Sequence, residues 1–264
     1  MKDEAILANS IHYFIEKYAI KNERGLPIVF YDRPFLWDIY KDMSPFQAVL
    51  KAPQIGLTTL EIIKVMYVAK YKGKDIIYTL PTKTDVNDMA GGKTNRIIAQ
   101  NPIFGEWVKD HDTVEQKQVG DNIIYFRGTF SAKQAMMVAS QLNVHDEVDA
   151  SDAEVLTQYE TRQQAEAGGM RWYFSHPSTV GNGIDIYWQK SDMKEWFITC
   201  PKCQKAQFLE WPISIDQDRG CYQCKFCKAE LSDDDRRMGE WRKKNKDAEF
   251  SGYHISQQIG RAHV

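Results

Sequence analysis

From residue 46 to residue 174, short apolar runs alternate with stretches of helical spacing, and this alternation constrains the fold more than any other feature of the chain. Phe46 to Leu50 reads as a buried strand. A loop through Pro53 and Gly56 follows, and then a helix from Thr58 to Tyr71 that sets Leu60, Ile63, Met66 and Tyr67 on related faces. Asp75 to Leu80 repeats the strand, Pro81-Thr82 turns the chain, and a helix is expected from Asp85 to Ala99. Val114 to Arg127 reads as two strands around Gly120-Asp121. Val138 to Val144 leads into His145-Asp146-Glu147, a polar helix is expected over Asp152 to Ala165, and Met170 to Phe174 makes another strand. Such an order predicts an α/β fold whose mostly parallel sheet carries helices on both faces. Ahead of it, an amphipathic helix is expected over residues 4–20 and a short one over Pro34 to Tyr40, with proline in the first turn.

The texture changes at Cys200. All five cysteines of the 264 residues lie between 200 and 227. In a reducing compartment such clustering points to metal. Cys200-Pro201-Lys202-Cys203 and Cys224-Lys225-Phe226-Cys227 are two C-x-x-C knuckles, which can offer four thiolates to a structural Zn²⁺ ion in a zinc ribbon. Cys221-Tyr222-Gln223-Cys224 is a C-x-x-C as well; the usual form of the second ribbon knuckle favours Cys224 and Cys227 and leaves Cys221 spare. The ribbon, on its plainest reading, staples a small lobe that lacks its own core.

The strand–loop–helix at 46–71 is where a nucleotide-binding fold places its phosphate loop. Against G-x-x-x-x-G-K-[ST], the chain reads Lys51-Ala52-Pro53-Gln54-Ile55-Gly56-Leu57-Thr58. Gly56 and Thr58 are in register, Leu57 stands where the lysine belongs, and Lys51 stands at the first glycine. An ordinary strand-to-helix turn would also fit these eight residues. Gly56 permits close backbone approach, Thr58 can bind Mg²⁺, and Lys51 can reach back over the phosphates. Asp146-Glu147, at the end of a buried strand, suits ATP hydrolysis: Asp146 would hold Mg²⁺ and Glu147 would polarise the attacking water. A surface turn, with Asp149 and Asp152 adding polarity, is the bland alternative. Trp172 to Thr179 runs a strand into a Ser/Pro/Thr turn of the kind that senses the γ-phosphate in helicase-like motors.

Taken in order, and with Tyr31-Asp32-Arg33-Pro34 ahead of the first strand, these motifs resemble the large terminase subunit of tailed phages, in particular its lambda-like branch. The likeness runs from about residue 28 to 258, and implies a helicase-like P-loop ATPase with a zinc ribbon behind it. By that resemblance, Lys51, Gln54, Gly56, Thr58 and Thr59 bind ATP phosphates and Mg²⁺, Asp146 and Glu147 form the acidic pair, and Ser175, Ser178 and Thr179 form the coupling turn. Tyr31 and Arg33 lie where the family packs adenine, with Asp32 replacing the glutamine common there. Arg162 is a candidate charge-stabilising arginine, though a solvent-facing role is the better default for it. The implied work is ATP-driven packaging of double-stranded viral DNA into a procapsid. The implied partners are a small terminase subunit, the portal protein and further copies in a ring, in the host cytoplasm and transiently at the portal. A helicase-like translocase of other function, or a non-hydrolysing zinc-ribbon docking protein, would use the same features.

The resulting division is a motor over 1–195, a ribbon over 196–232, the start of a linker to a missing endonuclease domain over 233–258, and a non-native tail over 259–264. Hydrophobic residues at 43% and charged residues at 27% describe a globular chain, and a net charge of −2 gives no overall basic field for nucleic acid. No run approaches the ~20 apolar residues of a membrane span, so a soluble intracellular protein without a membrane partner is expected.

Overall fold

The computed structural model describes residues 2–135, 138–163 and 169–259. Residues 164–168, which include the expected end of a helix at Ala165, and residues 260–264 of the expected tail lie outside the described residues. The strands are, in chain order, β1 (Phe46–Lys51), β2 (Ile76–Leu80), β3 (Val108–Asp112), β4 (Gln116–Val119), β5 (Asn122–Gly128), β6 (Leu142–Asp146) and β7 (Met170–Ser175). They continue as β8 (Lys194–Thr199), β9 (Ala206–Phe208), β10 (Ile215–Asp216), β11 (Cys221–Tyr222), β12 (Gly239–Arg242) and β13 (Ser251–Ile255). All but β10 and β11 join one 11-stranded sheet in the order β12-β8-β13-β1-β7-β6-β2-β5-β4-β3, with β9 on β8. From β8 to β5 every neighbouring pair is parallel, while β12, β9, β4 and β3 add antiparallel margins.

The central strands show why this sheet must be covered twice. β2 and β6 are buried at every position, whereas β5 and β8 alternate. Alternate residues of one strand enter different cores. Val49, Tyr78, Trp172 and Phe174 pack with the helix Leu57–Lys72. Ala48, Leu50 and Tyr173 pack instead with Ile184 and Trp188, and Ile77 with Val155 and Tyr159. The helix Leu57–Lys72 starts after Gly56 and stops at Gly73, both left-handed, with Lys70 and Lys72 in its last turn complementing the helix dipole. It is buried almost all round, including Lys64, whose ammonium donates to the Ile39 carbonyl at 2.9 Å and sits 4.2 Å over Trp172.

The expected α/β architecture is present, and the differences are local. Residues 4–20 form two helices, Lys2–Asn9 and Ile11–Lys17, because the Ser10 hydroxyl accepts from the Tyr13 N–H and caps the second. The helix expected from Asp85 to Ala99 is continuous in direction but contains a π-helical stretch, Asp88–Thr94. Residues 233–258, expected to open a linker, instead supply β12 and β13, and β13 lies directly against β1 in parallel register. The ribbon boundary shifts likewise, since β8 runs through residue 196 into the main sheet. Strands of four and five residues leave no local periodicity long enough to announce them, and β13 finds β1 some two hundred residues back along the chain. Among the described residues no helix is long and apolar enough to cross a membrane.

Candidate functional site

β1, β7 and β6 are consecutive in the sheet, so their carboxyl ends gather residues from three distant segments. At the end of β1, Lys51 places its ammonium 2.5 Å from Asp146 Oδ1 and 3.1 Å from Glu147 Oε1. Burial alone would lower the Lys51 pKa; the negative charges of Asp146, Glu61 and Glu147 outweigh it and hold the ammonium charged far above the ordinary lysine range. The Asp146 side chain is 3% exposed and that of Glu147 is 44% exposed, so water reaches only the second acid. Glu147 also adopts φ +52°, a left-handed conformation that costs free energy for a residue with a Cβ. The Glu147 N–H donates to Asp146 Oδ1 at 2.9 Å.

Behind the pair, the Tyr78 hydroxyl joins Asp146 Oδ2, at 3.0 Å, to the Glu61 carboxyl. Burial and the nearby Asp146 push the Glu61 pKa well above its ordinary value.

The loop after Lys51 turns through left-handed Gln54 (φ +60°) and Gly56 (φ +85°). A Cβ at Gly56 would collide with the Arg33 guanidinium, which lies against the loop. Leu57, in the usual lysine position, is 2% exposed and belongs to the core. Gln54 is exposed and Thr58 half-buried, while Thr59 donates from Oγ1 to Glu23 at 2.9 Å. Thr58 and Asp146 offer the hydroxyl and carboxylate oxygens that suit Mg²⁺. Tyr31 is exposed, beside Asp32 and Arg33.

The hydroxyl turn is tied to the acidic pair by Asp149, a residue that motif spacing does not single out. Asp149 accepts from the Ser178 N–H and hydroxyl, each at 2.7 Å, and from the Ile184 N–H at 2.8 Å. Its own N–H donates to Ser175 Oγ at 3.1 Å. A Cβ on Gly183 would strike this carboxylate. His176 completes the circuit with Nδ1 3.3 Å from the Lys51 carbonyl oxygen. Thr179 is exposed, and its carbonyl accepts from the Asn182 N–H. Lys93 is a second residue that the motifs do not point to. It sits on the π-helical stretch within electrostatic range of Glu23, Glu61, Asp146 and Lys51, and burial draws its pKa down. Gly91-Gly92 just before it is the one local signal there. Arg162 is exposed at the end of the helix Ala153–Thr161, and no side-chain contact to the acidic pair is found among the described residues.

His145, adjacent to the pair, is fully buried, with Nδ1 2.8 Å from Thr79 Oγ1 and its ring stacked 5.3 Å from Tyr173. Burial, and secondarily Arg171, depress its pKa from 6.5 to about 3. Between those values the unfolded chain binds a proton that the folded chain refuses, so stability is full above the unfolded pKa and declines as pH falls toward 3. At pH 5 the expected loss from this residue is about 2 kcal/mol. Urea unfolding at pH 7 and pH 5 should therefore show a smaller pH effect for His145→Gln than for the wild type; identical pH effects would exclude His145 as the cause.

At the other end of the chain, one ligand atom from each of Cys200, Cys203, Cys224 and Cys227 lies within 4.8 Å of the others. The Sγ atoms of Cys200 and Cys227 are 3.8 Å apart and those of Cys203 and Cys224 are 3.7 Å apart. A tetrahedral ion with metal–sulfur bonds of about 2.3 Å spaces its sulfurs by ~3.8 Å, so this donor set fits one. Burial raises the Cys224 pKa, but the N–H groups of Cys227 and Phe226 and the Gln207 amide overcome it and bring the thiol to about 6. Gln207 Nε2 is 3.1 Å from Cys224 Sγ, a supporting contact that nothing in the cysteine spacing predicts. Cys221 is not in the group.

The model of the family "phage terminase large subunit gpA, ATPase domain" matches residues 33–241. A comparison with curated proteins finds no match. Among solved structures, the chain is similar to the HK97 bacteriophage large terminase, with a TM-score of 0.57 and 15% identity over 69% of this chain and 40% of that one. It is also similar to the ATPase domain of the large terminase of Thermus phage P74-26, with a TM-score of 0.56 and 8% identity over 93% of this chain and 85% of that one. At such identities the likeness is one of fold, and the chain spans 40% of the HK97 protein.

Proposed function

Because the chain belongs to the family of phage terminase large subunit gpA ATPase domains, we propose that it hydrolyses ATP to drive double-stranded phage DNA into a procapsid. The observation that supports this reading is the contact of Lys51, which ends β1 directly before the loop to Gly56 and Thr58, with both Asp146 and Glu147. Leu57 is committed to the core, so Lys51 supplies the cation for the triphosphate, with Lys93 and Arg33 adding charge nearby. Gln54, Gly56, Thr58 and Thr59 line the phosphates, and Tyr31 and Arg33 take the base side.

In the resting arrangement Lys51 neutralises Glu147 as well as Asp146. A bound triphosphate competes for the ammonium and frees the Glu147 carboxylate to orient water and accept its proton in line with the γ-phosphorus. Mg²⁺, held by Thr58 and Asp146, would offset the charge that develops on the phosphate oxygens. Tyr78, bonded to Glu61 behind it, keeps Asp146 in place. Loss of the γ-phosphate then reaches Ser175, Ser178 and Thr179 through Asp149, which bonds the acidic turn to the hydroxyl turn.

Zn²⁺ fits the four thiols as a structural ion, since no coordination position stays open for chemistry. A homo-oligomeric ring, the small terminase subunit and the portal are the partners of this reading, in the host cytoplasm and at the procapsid portal. An endonuclease in the remainder of the protein completes it. The purified chain should carry one zinc per molecule by elemental analysis and bind Mg-ATP in calorimetry. Zinc without nucleotide binding would overturn the motor reading in favour of a docking protein, and no zinc would overturn the ribbon assignment.

A further inference from the structure

The helix Asp233–Arg237 follows the ribbon immediately, and its adjacent arginines are used differently. Arg236 is 3% exposed, lies 4.0 Å over the ring of Tyr222 in the ribbon, and donates to the Gln258 carbonyl at 2.5 Å. Its carbonyl accepts from Trp196 Nε1 at 3.1 Å. Arg237 turns away from the ribbon. Its guanidinium lies 5.4 Å over the ring of Tyr31, with Nη2 3.7 Å from Asp32 Oδ1 and Nη1 3.0 Å from Asp234 Oδ1. Tyr31 is nonetheless 74% exposed, and no other aromatic ring stacks on it among the described residues. Two residues on, Arg33 rests against Gly56 of the phosphate loop. Trp241 Nε1 donates to the Phe35 carbonyl at 3.0 Å and pins the same segment from behind.

We infer that Arg237 is a positioning residue for the nucleotide base, backing Tyr31 so that the ring's open face stacks the purine of ATP. The inference rests on the ATP-binding reading and adds to it a residue from beyond the ribbon. A guanidinium held between Asp32 and Asp234 stays beside the ring at little entropic cost, and its charge holds the electron-rich face of Tyr31. A flat base needs only the remaining face. The base end of the site is thereby built from both sides of the ribbon in sequence, and Arg236 braces that helix on the ribbon itself.

The test is calorimetric binding of Mg-ATP and of Mg-tripolyphosphate, which has no base, to the intact chain and its variants. Arg237→Ala should weaken ATP binding about fivefold to tenfold and leave tripolyphosphate within about twofold. Arg237→Lys should lie between, because the charge survives but the fork that reaches both Asp32 and Asp234 does not. In a Tyr31→Ala background, Arg237→Ala should have no further effect on ATP. Equal losses for both ligands would make Arg237 merely structural and overturn the inference, as would unchanged ATP binding. Wild-type chain that binds ATP no better than tripolyphosphate would overturn it too while sparing the phosphate loop. Wild-type chain that binds neither ligand would overturn the ATP reading itself.

Discussion

Glu147→Gln is expected to cut ATP turnover by about 10²- to 10⁴-fold while Mg-ATP affinity stays within about threefold of wild type. The asymmetry follows from exposure and geometry. Asp146 is enclosed by Lys51, Tyr78 and the Glu147 N–H, so its oxygens are already engaged, whereas the Glu147 side chain is 44% exposed and reaches solvent. The substituted amide would keep the size of the side chain and the left-handed turn but could not accept a proton from water. Steady-state hydrolysis and equilibrium binding, measured on the same preparation, separate the two effects. Turnover that survives the substitution removes Glu147 from its role.

Lys51→Met should be the most damaging single change at the site. It leaves Asp146 buried beside Glu147 with no cation between them, and breaking a buried pair in this way costs about 3–5 kcal/mol when one partner stays charged. The variant should also lose about 10²-fold or more in ATP affinity, because Leu57 cannot turn out of the core to replace the ammonium. Combining it with Asp146→Asn should restore much of the stability and none of the binding, since the double variant no longer strands a charge but still lacks the cation. Denaturant midpoints and ATP titrations on the two single variants and the double would show this. A Lys51→Met protein as stable and as avid for ATP as wild type would contradict the counterion role.

The α/β core was legible because its elements announce themselves locally. The apolar runs at 46–50, 75–80 and 170–174 are buried strands near their expected bounds, whereas the run expected from Val138 becomes a strand only at Leu142–Asp146. Adjacent Asp146 and Glu147 at a strand end, and cysteine knuckles at 200–203 and 224–227, are motifs whose chemistry depends on spacing along the chain. What was not legible depends on neighbours far away in sequence. Asp149 reads as one more acid after the pair, yet it receives the Ser178 and Ile184 N–H groups. Glu61 and Tyr78 look like ordinary residues of a helix and a strand until packing puts both behind Asp146. Arg237 looks like half of a basic dipeptide.

Residue order by itself determined the α/β class and the positions of the first strand-to-helix loop, the acidic pair and the thiol set, because each is written in contiguous periodicity or in fixed short spacing. Tertiary structure alone decided that the cation of the first motif position meets both acids and that residues 251–255 lie beside β1 rather than in a linker. The physical reason is the same for both. Parallel neighbours are joined by long crossovers, so the chain's own proximity says nothing about which strand ends will share one edge, and burial of both sheet faces makes that choice.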